Sequence, residues 1–476
     1  MSFIKYKTIK NKKYAYEIIS YWDKEKKYSK SFSKYLDPVD SETNEIIKTQ
    51  KKIMGNEKLI LDFGDGYFLY EIIKKNTIFE ILNSTLFSKF PDLLPLIIYR
   101  LCTQSAMYNC DTWFDGNILS YLVKNSNLSS QRISEILSCL GDELIQRPFL
   151  SAYLSQLGGS KKSVIIDATS LPNKINIDFN SWGRSDGAIE KQFRFICVID
   201  QENHTPLFYR LLPGNITDVS TLKTTMLELK AMGVRSSYVL MDAGYYSEAN
   251  IRDLLSQKID FLTRMPASIK IYKNLILNKS IGIEHLKNAS LFGSRSFYIK
   301  SLKIDLYGSK GYAFIILDPE RKAKETKKLL QQYCNDTDKS DRSEKKYQLK
   351  MLSCGIMILI SSKKILVNEI LSSYYLRLSV EQIFSCSKSD LALLPIRNHN
   401  DKTVQGYLFL QFLLLIIYLR IKEKILNEHT VEQALLILRR LKCKVYDNQI
   451  IISELTKKQR MIFEEAKILV PNFLGI

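Results

Sequence analysis

Two apolar runs that each end in an aspartate constrain the fold of this chain most. Ser163–Asp167 reads Ser-Val-Ile-Ile-Asp, and Tyr238–Asp242 reads Tyr-Val-Leu-Met-Asp. Short runs rich in branched and apolar residues are typical of buried strands. A carboxylate at the end of a buried strand must cap the following turn, be paired or bind a metal ion. The two runs therefore predict two core strands, each carrying a candidate site carboxylate at its end.

A third segment, Tyr374–Lys388, has the spacing of a helix. At about 100° per residue, four polar positions share an arc of about 60°: Tyr374, Arg377, Glu381 and Lys388. An apolar stripe lies beside this arc, so we predict one helix from about residue 368 to residue 394. A mixed polar face on an ordinary amphipathic helix is the alternative interpretation. Three converging carboxylates would suit Mg²⁺ or Mn²⁺, and the neighbouring cations suit a reaction on a phosphodiester.

The region around the second aspartate alternates strands and helices. The predicted elements are a hairpin of Phe193–Asp200 and Pro206–Leu212, a helix at Asp218–Met232 capped by Thr217 or Asp218, a helix at Ser247–Gln257 and a strand at Asp260–Arg264. With the two apolar runs, this is the element order of a ribonuclease H-like fold. In that fold the first and fourth strands are neighbours, so we expect Asp167 beside Asp242. The later helix would cross the sheet and bring Glu381 to them.

In these motifs the chain resembles bacterial insertion-sequence transposases of the DDE class. The segment from Tyr374 to Lys388 matches the family pattern Y-x2-R-x3-E-x6-K without a gap. Asp167 and Asp242 match the first and second carboxylates, and Pro213–Asp218 matches the P-G-N-x-x-D element between them. Four motifs therefore occur in the family order, and the resemblance runs from about residue 90 to residue 425.

The resemblance implies a transposase that cleaves and joins DNA at the ends of its own mobile element. Asp167, Asp242 and Glu381 would be catalytic and would hold two Mg²⁺ ions, or Mn²⁺, about 4 Å apart. The other three matched residues would bind DNA backbone phosphates: Tyr374, Arg377 and Lys388. The implied partners are double-stranded DNA, as terminal inverted repeats and target, and a second copy of the chain in a homodimer on paired ends.

The stretch between Asp242 and Glu381 is longer than a bare core of this fold needs. It predicts a hairpin of Ser296–Leu306 and Tyr312–Leu317, a charged helix at Pro319–Tyr333, a loop at Asn335–Lys346 and a strand at Cys354–Ile360. In the family, an aromatic from such an insertion stacks on a flipped base, and the usual Trp is missing here. The candidate replacements, each with ordinary packing as the alternative, are Phe292, Phe297, Tyr298 and Tyr307.

Composition bears on the partners and the location. A net charge of +19 favours a polyanionic partner, and nucleic acid is the simplest. The start of the chain lacks the apolar region of a signal peptide. The apolar run Gly406–Leu419 is short and contains Gln411, so we predict a buried helix and no membrane partner. Eight Cys without C-x-x-C spacing disfavour zinc and disulfides. We expect a cytoplasmic, nucleoid-associated bacterial protein.

We predict a mixed α+β chain with a ribonuclease H-like catalytic core and a β-rich insertion, a small N-terminal β region and a helical region. The predicted regions are 1–89 (β-hairpins), 90–160 (helical), 161–270 (first part of the core), 271–364 (β-rich insertion), 365–425 (catalytic helix and second part of the core) and 426–476 (helical tail). Lys13–Tyr21 and Ser29–Tyr35 predict the N-terminal hairpin. Two helices around Gly141 form either a helix-turn-helix that reads DNA ends or a plain bundle.

Some alternatives stay open at this point. A nuclease of the same fold would cut without joining, and a non-catalytic DNA-binding remnant would regulate transposition. The P-G-N-x-x-D element argues against the first, and the intact carboxylates argue against the second. The basic run Arg439–Lys444 faces either DNA or solvent. We expect a structural role for His399, because metal ions make a general base unnecessary.

Overall fold

A computed structural model describes residues 2–9, 12–23, 28–39, 57–158, 161–177, 179–185, 188–335, 344–398, 400–425 and 429–475. His399 lies outside these residues. The chain divides into two compact units. The smaller unit contains residues 1–60, 444–451 and 472–476, and the larger contains residues 61–443 and 452–471.

The strands are β1 Ser2–Ile9, β2 Lys12–Asp23, β3 Tyr28–Val39, β4 Leu59–Asp62, β5 Lys161–Pro172, β6 Ser181–Ser185, β7 Ala188–Asp200, β8 Pro206–Pro213, β9 Arg235–Met241, β10 Asp260–Arg264, β11 Ala289–Phe292, β12 Arg295–Leu306, β13 Ser309–Leu317, β14 Ile356–Ser361, β15 Lys442–Val445, β16 Gln449–Ile452 and β17 Phe473–Gly475.

The α-helices are α1 Gly64–Lys75, α2 Ile78–Leu82, α3 Leu93–Cys102, α4 Cys110–Asp115, α5 Leu119–Leu122, α6 Ser130–Leu140, α7 Glu143–Gln156, α8 Asp218–Ala231, α9 Glu248–Ser256, α10 Lys270–Lys279, α11 Pro319–Asn335, α12 Glu344–Ser353, α13 Ile370–Tyr375, α14 Leu378–Ser389, α15 Asp401–Lys424, α16 Val431–Arg439 and α17 Lys457–Glu465. A π-helix spans Asn83–Phe87, and 3-10 turns span Met107–Asn109, Ala243–Tyr245 and Leu286–Asn288.

The smaller unit contains a three-stranded antiparallel sheet in the order β1-β2-β3. Its β2–β3 pair confirms the predicted N-terminal hairpin, and β1 was not predicted. In the same unit, residues 449–451 of β16 pair antiparallel with β17.

A ten-stranded sheet forms the centre of the larger unit. Its order is β11-β12-β13-β14-β10-β9-β5-β7-β6, and β8 also pairs with β7. β9 is parallel to both β5 and β10, whereas β7 is antiparallel to β5 and β8. The strands β5, β7, β8, β9 and β10, with α8 and α9 at their predicted places in the chain, form a ribonuclease H-like core. The predicted fold class is therefore confirmed.

Helices cover both faces of this core. Neighbouring residues of β7 contact different helix layers, because successive residues of a strand point to opposite faces. On one face, Phe195 of β7 packs edge-on against Phe384 of α14, with ring centroids 6.3 Å apart. On the other face, Arg194 of β7 pairs with Asp218 at the start of α8. The core is thus a three-layer arrangement of helices, sheet and helices.

The apolar helix α15 is a core element, as predicted. It is long and apolar enough to cross a membrane, but 83% of its most apolar stretch is buried inside the protein. A Cβ atom added at Gly406 would lie 1.8 Å from the Leu137 carbonyl oxygen. The backbone of α6 therefore lies directly against α15.

The predicted helix pair around Gly141 is confirmed. Ser129 and Asp142 cap α6 and α7 through their side chains. The Tyr153 hydroxyl of α7 donates to the Pro206 carbonyl, 2.8 Å away. Both helices are thus packed within the larger unit, α6 on α15, and α7 on the start of β8 and, through Phe149 and Phe409, on α15.

The strands of the predicted insertion extend the core sheet. The predicted hairpin is the β12–β13 pair, and β14 pairs with β13 on one side and with β10 on the other. The predicted loop at 335–346 is wrong at its end, because α12 begins at Glu344. Residues 336–343 lie outside the described part of the chain.

The C-terminal segment, predicted to be helical, also contains the short strands β15, β16 and β17. Lys442–Val445 and Gln449–Ile452 each bury alternate residues, which is strand periodicity. Two residues of the basic run pair with acidic groups within the larger unit. Arg439 pairs with Asp65, and Lys442 contacts Asp62.

Candidate active site

Asp167 lies in the middle of β5. The prediction that the strand ends at this aspartate is wrong, because β5 continues to Pro172 and remains paired with β7. Asp167 is only 8% exposed and lies opposite Cys197 across the β5–β7 pair. The backbone N–H of Ala168 donates a hydrogen bond of 2.9 Å to its Oδ1 atom. The carboxylate is thus buried within the sheet and held by its own strand.

Asp242 follows β9 directly, as predicted. β5 and β9 are parallel neighbours, and Ile166 pairs with Met241. The residue that follows each member of this pair is therefore a candidate site aspartate. This register confirms the expectation that Asp167 lies beside Asp242.

The predicted single helix is two helices in the structure. A turn at Leu376 and Arg377 separates α13 from α14, and α14 ends at Ser389, before the predicted end. The two turn residues keep helical φ angles of −53° and −58°. However, the Arg377 N–H bonds to the carbonyl three residues back. The continuous-helix prediction failed because this 3-10-like tightening needs no Gly or Pro to signal it.

The Arg377 guanidinium joins two of the three candidate carboxylates. Its Nη1 atom lies 2.8 Å from Oδ2 of Asp167, and its Nη2 atom lies 3.0 Å from Oε1 of Glu381. Its Nε atom is buried and has no hydrogen-bond partner among the described residues. The Glu381 side chain is 50% exposed, whereas that of Asp167 is 12% exposed. A protein cation therefore ties the first turn of α14 to β5.

Two further side chains link α13 and α14 to the sheet. The buried Tyr374 donates its hydroxyl to Oδ1 of Asp242 at 3.0 Å. Lys388 Nζ donates to Oγ1 of Thr169 at 2.8 Å. The structure thus gathers all six predicted site residues around β5 and the end of β9. The predicted phosphate contacts of Tyr374, Arg377 and Lys388 stay a prediction.

Burial dominates the electrostatics of this cluster. It raises the pKa of Asp167 to about 6, although the Arg377 guanidinium and the Ala168 N–H oppose the rise, and the charge of Asp242 adds to it. Burial also raises the pKa of Tyr374, as does Asp242, so the hydroxyl remains a proton donor. For Arg377, burial lowers the pKa, but the charges of Asp167 and Asp242 raise it overall.

The donor set suits a divalent metal ion by its chemistry. Asp167, Asp242 and Glu381 supply carboxylate oxygens, the ligands that Mg²⁺ and Mn²⁺ prefer. Across the described ranges, no three His, Cys, Asp or Glu side chains are positioned as a group that could hold an ion. The oxygens of Asp167 and Glu381 are instead engaged by Arg377. The carboxylates thus fit the ion by their chemistry, while their arrangement in the structure is set by the Arg377 guanidinium.

The P-G-N-x-x-D element supports the turn that follows Asp242. Asp218 forms a two-point ion pair with Arg194 of β7, in which Arg194 Nε lies 2.7 Å from Oδ1. A Cβ atom at Gly244 would lie 2.9 Å from Oδ2 of Asp218, so the Ala-Gly-Tyr turn rests directly on this carboxylate. A Cβ atom at Gly214 would lie 2.5 Å from the Gln192 carbonyl oxygen, so a larger residue would not fit there.

The sequence contained this motif, but its spacing alone did not indicate that Asp218 would contact Arg194 and Gly244.

The aromatic candidates for base stacking have partners within the protein. Phe292 stacks on Tyr375 with ring centroids 5.2 Å apart, and Phe297 is buried under Arg295. The hydroxyl of Tyr307 lies 2.9 Å from that of Tyr246. Tyr298 is half-buried on the neighbouring strand position. The contacts of Phe292, Phe297 and Tyr307 are compatible with ordinary packing, and stacking on a flipped base stays a prediction.

The fold and the site define the class: a ribonuclease H-like protein with neighbouring aspartates on and directly after two central strands, and a glutamate on a helix linked to the first aspartate through an arginine. The family model described as Transposase DDE domain matches residues 158–417, more than half of the chain. The chain therefore belongs to the transposase DDE domain family.

The solved structures similar to this chain include two transposase complexes. One is a cryo-EM structure of a piggyBac transposase synaptic complex with hairpin DNA, with a TM-score of 0.42, 11% identity and 79% of each chain covered. The other is a Drosophila P element transposase strand transfer complex, with a TM-score of 0.16, 12% identity, and 66% of this chain and 69% of that chain covered. No curated protein matches the chain in sequence. The family assignment rests on the family model.

Proposed function

We propose that this transposase cuts and joins DNA at the ends of an insertion sequence, with Asp167, Asp242 and Glu381 as its catalytic carboxylates. The observation that carries the proposal is the placement of these residues. Asp167 and Asp242 follow a paired position on parallel strands, and Glu381 is tied to Asp167 through one guanidinium. Asp242 thus lies beside Asp167 in the sheet, and Arg377 links Asp167 to Glu381.

The same carboxylates are the residues that would hold Mg²⁺ or Mn²⁺. Two bound ions supply activation of the attacking oxygen and stabilisation of the leaving oxygen in an in-line displacement at phosphorus. The protein's own contribution is to orient the two aspartate side chains. Ala168 orients Asp167 through its N–H, and Tyr374 orients Asp242 through its hydroxyl. Tyr374 is therefore assigned to positioning Asp242.

Arg377 and Lys388 would bind phosphates on either side of the scissile bond. Both lie on or next to α14 and contact β5, Arg377 at Asp167 and Lys388 at Thr169. A guanidinium can bond two oxygens of one phosphate, whereas an ammonium acts as a point charge. The net charge of +19 supports a long DNA contact.

The biological setting belongs to the same proposal. The resemblance of Tyr374–Lys388 to the insertion-sequence signature supports a bacterial element, terminal inverted repeats as the substrate ends, and a homodimer that pairs them. The net charge supports action on DNA at the nucleoid.

The test uses the full chain and a labelled duplex from the DNA that flanks the gene, in which the proposal requires an inverted repeat. Wild-type protein in Mg²⁺ should cut at the repeat boundary and join the 3′ end to a target plasmid. Asp167→Asn, Asp242→Asn and Glu381→Gln should each lose both reactions, because each removes a ligand charge, and should still bind the duplex. Glu369→Gln is the matched control, because Glu369 is exposed and lies just before α13.

Each alternative gives its own result in that assay. Cutting without joining would indicate a nuclease of the same fold. Binding without cutting in either Mg²⁺ or Mn²⁺ would indicate a DNA-binding regulator of transposition. Full activity in Glu381→Gln would remove Glu381 from the catalytic set.

A further inference from the structure

Arg377 occupies the position between the carboxylates that a metal ion would need. Its two terminal nitrogens lie 2.8 Å from Asp167 and 3.0 Å from Glu381. Asp167 is buried and Arg377 is largely buried, its side chain 18% exposed. Away from bulk water, charge interactions at such distances are strong. One oxygen of Asp167 and one of Glu381, two of the candidate ligands, are therefore already paired with a cation of the chain itself.

A guanidinium and a divalent cation compete for these oxygens. The two like charges would lie within a few ångströms of each other in a partly buried site, which is costly at low effective dielectric. Loading the site with metal therefore requires the Arg377 side chain to leave Asp167 and Glu381. A largely buried guanidinium that loses both carboxylates needs another anion. A DNA phosphate fits, because guanidinium and phosphate form two-point hydrogen bonds.

We propose that Arg377 exchanges its two carboxylates for a DNA phosphate, and that this exchange couples metal binding to DNA binding. The inference rests on the proposed function, because it takes Asp167 and Glu381 as the metal ligands. In the free protein, Arg377 holds the carboxylates together and keeps metal affinity low. DNA draws the guanidinium away and frees the ligands. The coupling is reciprocal, so metal strengthens DNA binding by the same factor.

Lys388 provides the comparison that separates this exchange from simple loss of a DNA contact. It lies on the same helix, two turns after Glu381, and donates to the hydroxyl of Thr169. Removing Lys388 should weaken DNA binding without changing the metal affinity of the free protein. Removing Arg377 should change both.

The experiment measures Mn²⁺ binding by electron paramagnetic resonance of the free ion, for wild type, Arg377→Ala, Arg377→Gln and Lys388→Ala. Each protein is titrated alone and with an end duplex, and Mn²⁺ bound by the duplex alone is subtracted. Without DNA, Arg377→Ala and Arg377→Gln should bind Mn²⁺ more tightly than wild type. A tightening within the roughly 5- to 150-fold range typical of coupled sites is expected. DNA should tighten Mn²⁺ binding to wild type much more than to either Arg377 variant.

The inference is overturned if folded Arg377→Gln, checked by circular dichroism, binds Mn²⁺ no more tightly than wild type. It is equally overturned if DNA tightens Mn²⁺ binding by the same factor in wild type and in Arg377→Gln. Either result can coexist with cutting and joining by wild type, so the proposed function would stand. Conversely, tighter Mn²⁺ binding by the Arg377 variants, with no cutting by wild type, would support the exchange and reject the transposition chemistry.

Discussion

Asp167 is a carboxylate that folding keeps from water. Its position in an apolar strand made it a candidate site residue in the sequence, because burying an acidic side chain is costly unless it is paired or binds a metal ion. The identity of its partner was not predictable. Arg377 is distant in sequence, and helical spacing placed it only on the same face as Glu381. The acceptor that the Arg377 side chain reaches depends on the turn between α13 and α14, which helical periodicity does not predict.

The raised pKa of Asp167 gives a pH-dependent stability with a defined sign. Its pKa is 3.8 in the reference state and about 6 in the fold. An acid whose pKa rises on folding favours the folded state when protonated, and this contribution is lost as pH rises through about 6. Compared with Asp167→Asn, which does not titrate, wild type should lose up to about 3 kcal/mol of unfolding free energy between about pH 4 and pH 7. Urea unfolding at both pH values measures these free energies. The prediction would be contradicted if the difference in unfolding free energy between wild type and Asp167→Asn were the same at both pH values.

At the scale of elements, strand and helix identities followed from the sequence more closely than their ends did. The hairpin of β7 and β8 and the start of α9 were predicted because turn and capping residues act locally, and the Ser247 side chain accepts from the Asn250 N–H at the start of α9. The predicted side-chain cap of α8 is wrong, because Thr217 precedes the helix without a capping hydrogen bond from its side chain. The extension of β5 past Asp167 depends on pairing with β7, which is non-local. The turn before α14 keeps helical dihedral angles, so only its hydrogen bonds distinguish it from a continuous helix.

The contact between α6 and α15 gives a prediction at this scale. An added Cβ at Gly406 would lie 1.8 Å from the Leu137 carbonyl oxygen, which is backbone and cannot turn aside. Gly406→Ala should therefore push the two helices apart and cost at least about 1–3 kcal/mol, the usual range for overpacking. Gly116→Ala is the control, since its nearest neighbour would be 3.7 Å away. Thermal unfolding of both variants decides this, and equal melting temperatures would contradict it.

At the scale of the whole molecule, the sequence predicted a core with an insertion, and the structure shows that the insertion strands continue the core sheet. The link is β14, which pairs with β10 about a hundred residues earlier in the chain. β14 is buried at every position, so its apolar run indicated a strand but not its neighbours. Its neighbours depend on pairing between strands distant in the chain, which hydrophobic patterning does not encode.

The charge of the whole molecule leads to the last prediction. With a net charge of +19, binding to DNA should weaken steeply as salt rises, because each phosphate contact releases counterions. If Lys388 contacts one phosphate, Lys388→Ala should reduce the slope of log affinity against log salt by about one unit and leave sequence preference unchanged. Arg252→Ala is the control, since Arg252 is exposed on α9 and pairs with Glu248 on its own helix. Filter binding at several salt concentrations gives both slopes. Equal slopes for wild type and Lys388→Ala would mean that Lys388 serves the protein through Thr169 and does not contact the DNA backbone.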